Sequence, residues 1–328
     1  MKTQSQPISL PERLTQRLRR PAWKKAVSSV LLVQFALWSM QVQGAEGTWI
    51  LNANGNWTGT PANWQGGVIP NGVGDIANFR NDISANRTVT LNAPITLGGM
   101  RMGDALGSSV FTFTGSALNT LTLDNSSGNA FVNKYGSATD VWQAPLILND
   151  TLDVSGVSNA QVSYSGSGNT IKNGAGALRL NIDSTTVPYT GNWVVNMGTL
   201  NIGGANSAAP TSLGSGTGGI TLNGIGRSDL AVFSLNNNGT ASDTTVTYSG
   251  NNDVIVQGAG RLNVDRNFVS GANDRVTHVL DNLTFNGGIL SVTSGNGHNL
   301  RFDGVTSLVS DYNIFQAEAN TVATKANL

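Results

Sequence analysis

Short runs in which apolar and polar residues alternate, each bounded by glycine or asparagine, recur along this chain and limit what it can become. The stretch from Gly174 to Gly224 shows them best. Leu178 and Leu180, Leu200 and Ile202, and Ile220 and Leu222 are each separated by one residue. A period of two puts one face of a strand in a core and the other in water. Strands this short cannot enclose a core alone, so each needs a neighbour of its own kind. The rhythm continues on both sides, from Thr88-Val-Thr-Leu91, Pro94-Ile-Thr-Leu97 and Leu121-Thr-Leu123 to Asp253-Val-Ile-Val256, Leu283-Thr-Phe285 and Ser307-Leu-Val309. Strands at this spacing, broken by Gly, Asn and Ser turns, predict an all-β chain. Three strands per coil of roughly 20–30 residues give on the order of ten coils. Stacked at about 4.8 Å per coil, they would form a rod about 50 Å long.

The central stretch also carries a motif. Gly174, Gly176, Leu178 and Leu180 are followed by Tyr189-Thr-Gly191, then by Val195, Gly198-Thr-Leu200 and Ile202, and then by Leu213-Gly-Ser215. This order resembles the autotransporter-associated β-strand repeat of bacterial surface proteins. About 40 residues match; Trp193, Met197 and Ser212 depart from the usual pattern. Weaker echoes stand at Gly258-Ala-Gly-Arg-Leu-Asn-Val264 and Asn286-Gly-Gly-Ile-Leu-Ser-Val292. The resemblance implies a right-handed parallel β-solenoid, or β-helix, acting as an exported passenger. No β-barrel pattern or sorting tail follows, so it also implies an N-terminal portion of a longer protein.

Residues 1–44 read as a helical secretory signal peptide. Lys2, Arg13, Arg17, Arg19, Arg20, Lys24 and Lys25 precede the apolar run Ala26–Met40, and small residues come next, with cleavage expected near Gly44 or Ala45. The run is 15 residues long and contains Ser28, Ser29, Gln34 and Ser39, short of the roughly 20 apolar residues a span requires. These 44 residues hold seven of the 19 basic and one of the 19 acidic residues, which leaves the remainder with 12 against 18 and a net charge of −6. A nucleic-acid partner, which needs a basic footprint, is therefore not expected. The absence of cysteine excludes disulfides and thiolate metal sites.

Residues 45–85 differ from the remainder of the chain. Trp49, Trp57 and Trp64 fall within sixteen residues, ahead of Pro70, Gly74-Asp75 and Phe79. This segment is similar to the one that opens the mature part of such repeat proteins. A terminal coil exposes a strand edge that invites aggregation, and terminal repeats are atypical for that reason. We therefore expect an N-terminal Trp-rich cap over 45–85 and the solenoid passenger over 86–328. The alternative for the three tryptophans is glycan stacking, since an exposed indole can lie on a sugar ring.

Catalytic constellations are sparse. His278 and His298 are the two histidines, set in different strands or turns without a Ser-His-Asp order. Asp75, Asp82, Asp104, Asp124, Asp140 and Asp150 stand singly in contexts that suit turn formation. Asp150 with Asp153, Asp253 with Asp265, and Asp274 with Arg275 are loose pairs. No catalytic residue, cofactor or metal is assigned. The expectation is a cell-surface or secreted structural or adhesive passenger. Its partners would be extracellular glycans or host and neighbour-cell surfaces, with transient contact with export machinery and the outer membrane. The alternative is a secreted β-helix that binds or cleaves polysaccharide.

Overall fold

A computed structural model describes residues 44–136, 138–155, 158–160, 164–181, 188–203, 211–266 and 273–319. These belong to one compact unit, 43–328. Apart from Gly44, the predicted signal peptide lies outside them.

The described chain is a β-solenoid. One long sheet stacks eleven strands: Glu46–Thr48, Ile76–Phe79, Gly99–Met102, Ala130–Lys134, Leu152–Ser155, Thr170–Asn173, Trp193–Val195, Ile220–Leu222, Val254–Val256, Leu283–Phe285 and Thr306–Leu308. A second stacks another eleven: Gly55–Asn56, Arg87–Leu91, Phe111–Gly115, Asp140–Trp142, Ser158–Ala160, Ala177–Asn181, Gly198–Gly203, Ala231–Asn236, Ala259–Asp265, Gly288–Ser294 and Asn313–Ala319. The third wall is interrupted. A four-stranded sheet uses Ile95–Leu97, Leu121–Leu123, Leu146–Leu148 and Tyr164–Gly166, and a three-stranded sheet uses Thr245–Thr247, Thr277–Leu280 and Asn299–Phe302. All these pairings are parallel, and paired residues lie from 18 positions apart (Leu152 with Thr170) to 34 apart (Ile220 with Val254).

The alternation read from the sequence is the alternation that builds the core. In the central repeat Leu178, Leu200, Phe233 and Leu262 occupy one inward column, and Leu180, Ile202, Leu235 and Val264 the next. Both columns are buried, while Arg179, Asn201 and Asn263 point outward between them. Gly198 makes the turn into its strand at φ +74, and a Cβ there would run into the carbonyl oxygens of Gly174 and Gly176. Only glycine fits both demands.

Polar side chains bind successive coils at the corners. Asn223 Nδ2 donates to Asn196 Oδ1 (3.3 Å), Asn196 Nδ2 to Asn173 Oδ1 (2.9 Å), and Asn173 Nδ2 to Asp153 Oδ1 (2.7 Å). A second corner uses side-chain acceptors to hold the next coil's backbone. Asn169 Oδ1 accepts from Asn192 N, and Asn192 Oδ1 from Gly218 N. Loops of this kind would otherwise leave backbone groups without partners.

Two differences from the sequence reading have physical causes. Ala130–Lys134 and Asp140–Trp142 are strands, although neither has an uninterrupted apolar alternation. Their inward positions include Lys134 and Asp140, which pair across 3.4 Å with both side chains almost fully buried. Asp140, expected as a turn former, is therefore a core residue. The segment 45–85 is continuous with the stack, because it supplies the first two strands of the first sheet and the first of the second.

Candidate functional site

The three N-terminal tryptophans are packed against one another. Trp64 contacts Trp49 and Trp57, each at 5.2 Å between ring centroids, and Phe79 touches all three at 5.2–5.6 Å. Edge-to-face and tilted contacts at this separation are the favoured aromatic geometry. Each indole N–H is satisfied by a backbone carbonyl: Trp49 by Leu51 (2.9 Å), Trp57 by Pro70 (3.0 Å) and Trp64 by Trp57 (2.9 Å). Relative exposure is 0% for Trp49 and Trp57 and 1% for Trp64. No ring face is open, so the glycan-stacking alternative for these residues has no surface through which to act. Ala45, at the expected cleavage position, donates its backbone N–H to Asp75 Oδ1 at 2.6 Å. Asp75 Oδ2 accepts from Asn71 N.

The two histidines, expected as unrelated strand or turn residues, are brought together in the core. His278 lies in the three-stranded sheet, in register between Val246 and Leu300, and all three are buried. Tyr248 Oη is 2.9 Å from His278 Nδ1, His278 Nε2 is 2.9 Å from His298 Nδ1, and His298 Nε2 is 3.3 Å from Asn273 O. A carbonyl oxygen can only accept. His298 Nε2 must therefore carry the hydrogen and its Nδ1 must accept from His278 Nε2–H. His278 Nδ1 must in turn accept from the Tyr248 hydroxyl. The Asn237 side chain hydrogen-bonds Tyr248 from the other side. The chain is thus satisfied in one direction with both imidazoles neutral. Burial, with the His298 ring beside it, pushes His278 down to about 3. Burial also lowers His298, although the Asn273 carbonyl, Asp265 and Asp274 oppose the shift. Burial drives the Tyr248 phenol well above its ordinary value.

Lys172 is another buried ionisable group. Its Nζ donates to the carbonyls of Asn173 (2.6 Å), Gly174 (2.7 Å) and Met197 (3.4 Å), tying two coils together. Burial pulls it down to about 8, partly opposed by Asp153. Asp140 shows the converse. Burial raises its carboxyl, while Phe111 N and Lys134 act against that shift.

The carboxylates of the loose acidic pairs are engaged with separate partners. Asp150 Oδ2 accepts from Asn125 N, whereas Asp153 serves Asn173. Asp253 Oδ1 accepts from both the backbone and the side chain of Asn282. Arg275 pairs with Asp243 through two contacts of 2.6 and 2.7 Å, not with Asp274, which lies 3.5 Å from Arg266. Asn296 joins the group by donating to Asp265 Oδ1 (2.6 Å) and accepting from Arg266. Asp243, Arg266, Asp274 and Arg275 thus gather at one corner, where the second sheet turns into the three-stranded sheet. Among the described residues no group of three or more His, Asp or Glu is arranged to hold a metal ion.

A cavity of about 620 Å³ lies among the last described strands, lined by Leu283, Phe285, Leu300, Phe302, Leu308 and Phe315. Val305, Leu308, Val309 and Tyr312 are exposed beside it. The N-terminal end is aromatic and filled. Among the described residues no helix is long and apolar enough to cross a membrane. Comparison of the chain with protein-family models, with curated proteins and with solved structures gives no match.

Proposed function

We propose that this chain is an exported, non-catalytic structural or adhesive β-solenoid of the autotransporter-passenger kind, displayed at a cell surface or released from it. The observation that carries the reading is the use made of buried polar groups. His278, His298, Tyr248 and Lys172 are engaged in hydrogen bonds that join coil to coil, an arrangement that suits a load-resisting rod better than a reaction centre. The basic and apolar halves of residues 1–44 support export, and the motif between Gly174 and Ser215 supports the passenger role. The filled aromatic end over residues 49–79 acts as the cap that the first coil needs. Its partners are extracellular glycans or neighbouring cell surfaces met by the outward polar faces.

The test is direct. Full-length protein is expressed in a Gram-negative host and each cell fraction is analysed by mass spectrometry. An N-terminus near Gly44 or Ala45 in the surface or extracellular fraction is expected. Intact Met1 confined to the cytoplasm would overturn the reading. A second reading, polysaccharide recognition, rests on the corner where Asp243, Arg266, Asp274 and Arg275 gather. Arg275→Ala should abolish glycan-array binding if that corner recognises sugar, and should leave it unchanged if adhesion uses another face.

A further inference from the structure

We propose that the Tyr248–His278–His298 chain is an acid-responsive latch that holds the three-stranded sheet of Thr245–Thr247, Thr277–Leu280 and Asn299–Phe302 to the core and releases it when the imidazoles take up protons. The latch is independent of any role in export.

Geometry is its foundation. All three side chains are buried, and each sits in or beside a different strand of this sheet. The hydrogen-bond order fixed by the Asn273 carbonyl uses every nitrogen of both rings. A proton added at His298 Nδ1 would place N–H against His278 Nε2–H. A proton added at His278 Nδ1 would place N–H against the Tyr248 hydroxyl, whose hydrogen must turn away so that its oxygen accepts. Donor facing donor between the two rings forfeits a hydrogen bond, and a proton on either ring leaves a buried charge. The groups around the chain offer limited help. His278 faces Tyr248, His298 and the apolar Val246 and Leu300. His298 is reached by the carboxylates of Asp265 and Asp274, with the Arg266 guanidinium opposing them.

Linkage sets the direction of the response. Burial sets both rings below the value of a free imidazole, about 6.5. The unfolded or opened sheet therefore binds more protons than the closed one across that range, so the closed state loses stability as pH falls. The loss begins near pH 6.5 and continues towards 3 for His278. Each proton taken up shifts the opening equilibrium about tenfold per pH unit, so two give up to about a hundredfold.

Hydrogen exchange read by mass spectrometry on the full chain at pH 7.5, 6.0 and 5.0, corrected for intrinsic exchange rates, tests this. Protection of peptides covering 244–248, 277–280 and 299–302 should change little above about pH 6.5 and fall by about tenfold or more per pH unit below it. Peptides covering 87–102 and 193–203 should keep theirs, and protection should return on neutralisation. Uniform loss along the chain, or no loss in this sheet, would overturn the proposal. The variant pair His278→Gln and His298→Gln should abolish the selective pH response, and its persistence would also overturn the proposal. Should that pair fail to fold, Tyr248→Phe, which removes only the hydroxyl donor, should shift the opening to higher pH. An unchanged opening pH in Tyr248→Phe would again refute the latch.

Discussion

Trp57 offers the sharpest test of how the N-terminal end is built. Its ring is fully buried, it lies 5.2 Å from both Trp64 and Phe79, and its Nε1–H is held by Pro70 O at 3.0 Å. Trp57→Ala leaves a cavity, and such truncations cost about 3–5 kcal/mol. The lost hydrogen bond adds about 1 kcal/mol and strands a buried carbonyl. The expected total is about 4–6 kcal/mol. Trp57→Phe retains most of the ring but not the donor, so it should cost about 1–2 kcal/mol. Ile225→Ala serves as control, because Ile225 is exposed and bears no core contact. The assay is urea unfolding followed by far-ultraviolet circular dichroism, which does not depend on tryptophan emission. Loss of the end coil should also raise aggregation, since the strand edges beneath it become available. The reasoning fails if Trp57→Ala costs under about 1 kcal/mol, a value typical of surface changes. It also fails if Ala and Phe cost the same.

Three further outcomes are expected. Leu200→Asp places a charge at a fully buried inward position and should cost several kcal/mol, read as a large drop in thermal midpoint; an unchanged melt would show the inward column misassigned. Lys172 is held at about 8 against 10.5 when free, so the unfolded chain keeps its proton to higher pH and stability should rise between about pH 8 and 10.5; equilibrium unfolding across that range should show the rise, and Lys172→Met should remove it. If cleavage follows Gly44, the Ala45 nitrogen 2.6 Å from Asp75 Oδ1 becomes an ammonium ion, so Asp75→Asn should destabilise the cleaved chain more than the uncleaved one, a difference that differential scanning calorimetry can measure.

Much of the fold was legible because most of the core obeys the simplest rule. Leu178, Leu200, Ile220 and their neighbours alternate with polar residues, and glycine marks the turns between them. Legibility failed wherever an inward position is polar. Lys134 and Asp140 break the pattern of their strands, and their pairing, with Phe111 N donating to Asp140 and Lys134 donating to the Tyr135 carbonyl, makes their burial tolerable. His278 is 20 residues from His298 and 30 from Tyr248 in sequence, and no local spacing announces that successive coils bring the three into line. The tryptophans were readable as a cluster and expected to pack in a cap, with an exposed stacking role as the alternative, because an indole suits either role. Their burial is a property of the loop containing Pro61 and Pro70, which folds them inward against Phe79.

The parallel register has a consequence for what stability means in this molecule. Each strand is bonded to the one before it and the one after it, 18 to 34 residues away, and direct contacts beyond adjacent coils are scarce. Such an assembly behaves as a row of coupled units, not as a single cooperative block. A free energy of unfolding fitted to one transition would then average over units of unequal strength. The coil holding Trp57 and the coil holding His278 need not melt together. A probe placed in each, followed over the same denaturant series, would give two midpoints, and the distance between them would measure how far order propagates along the axis.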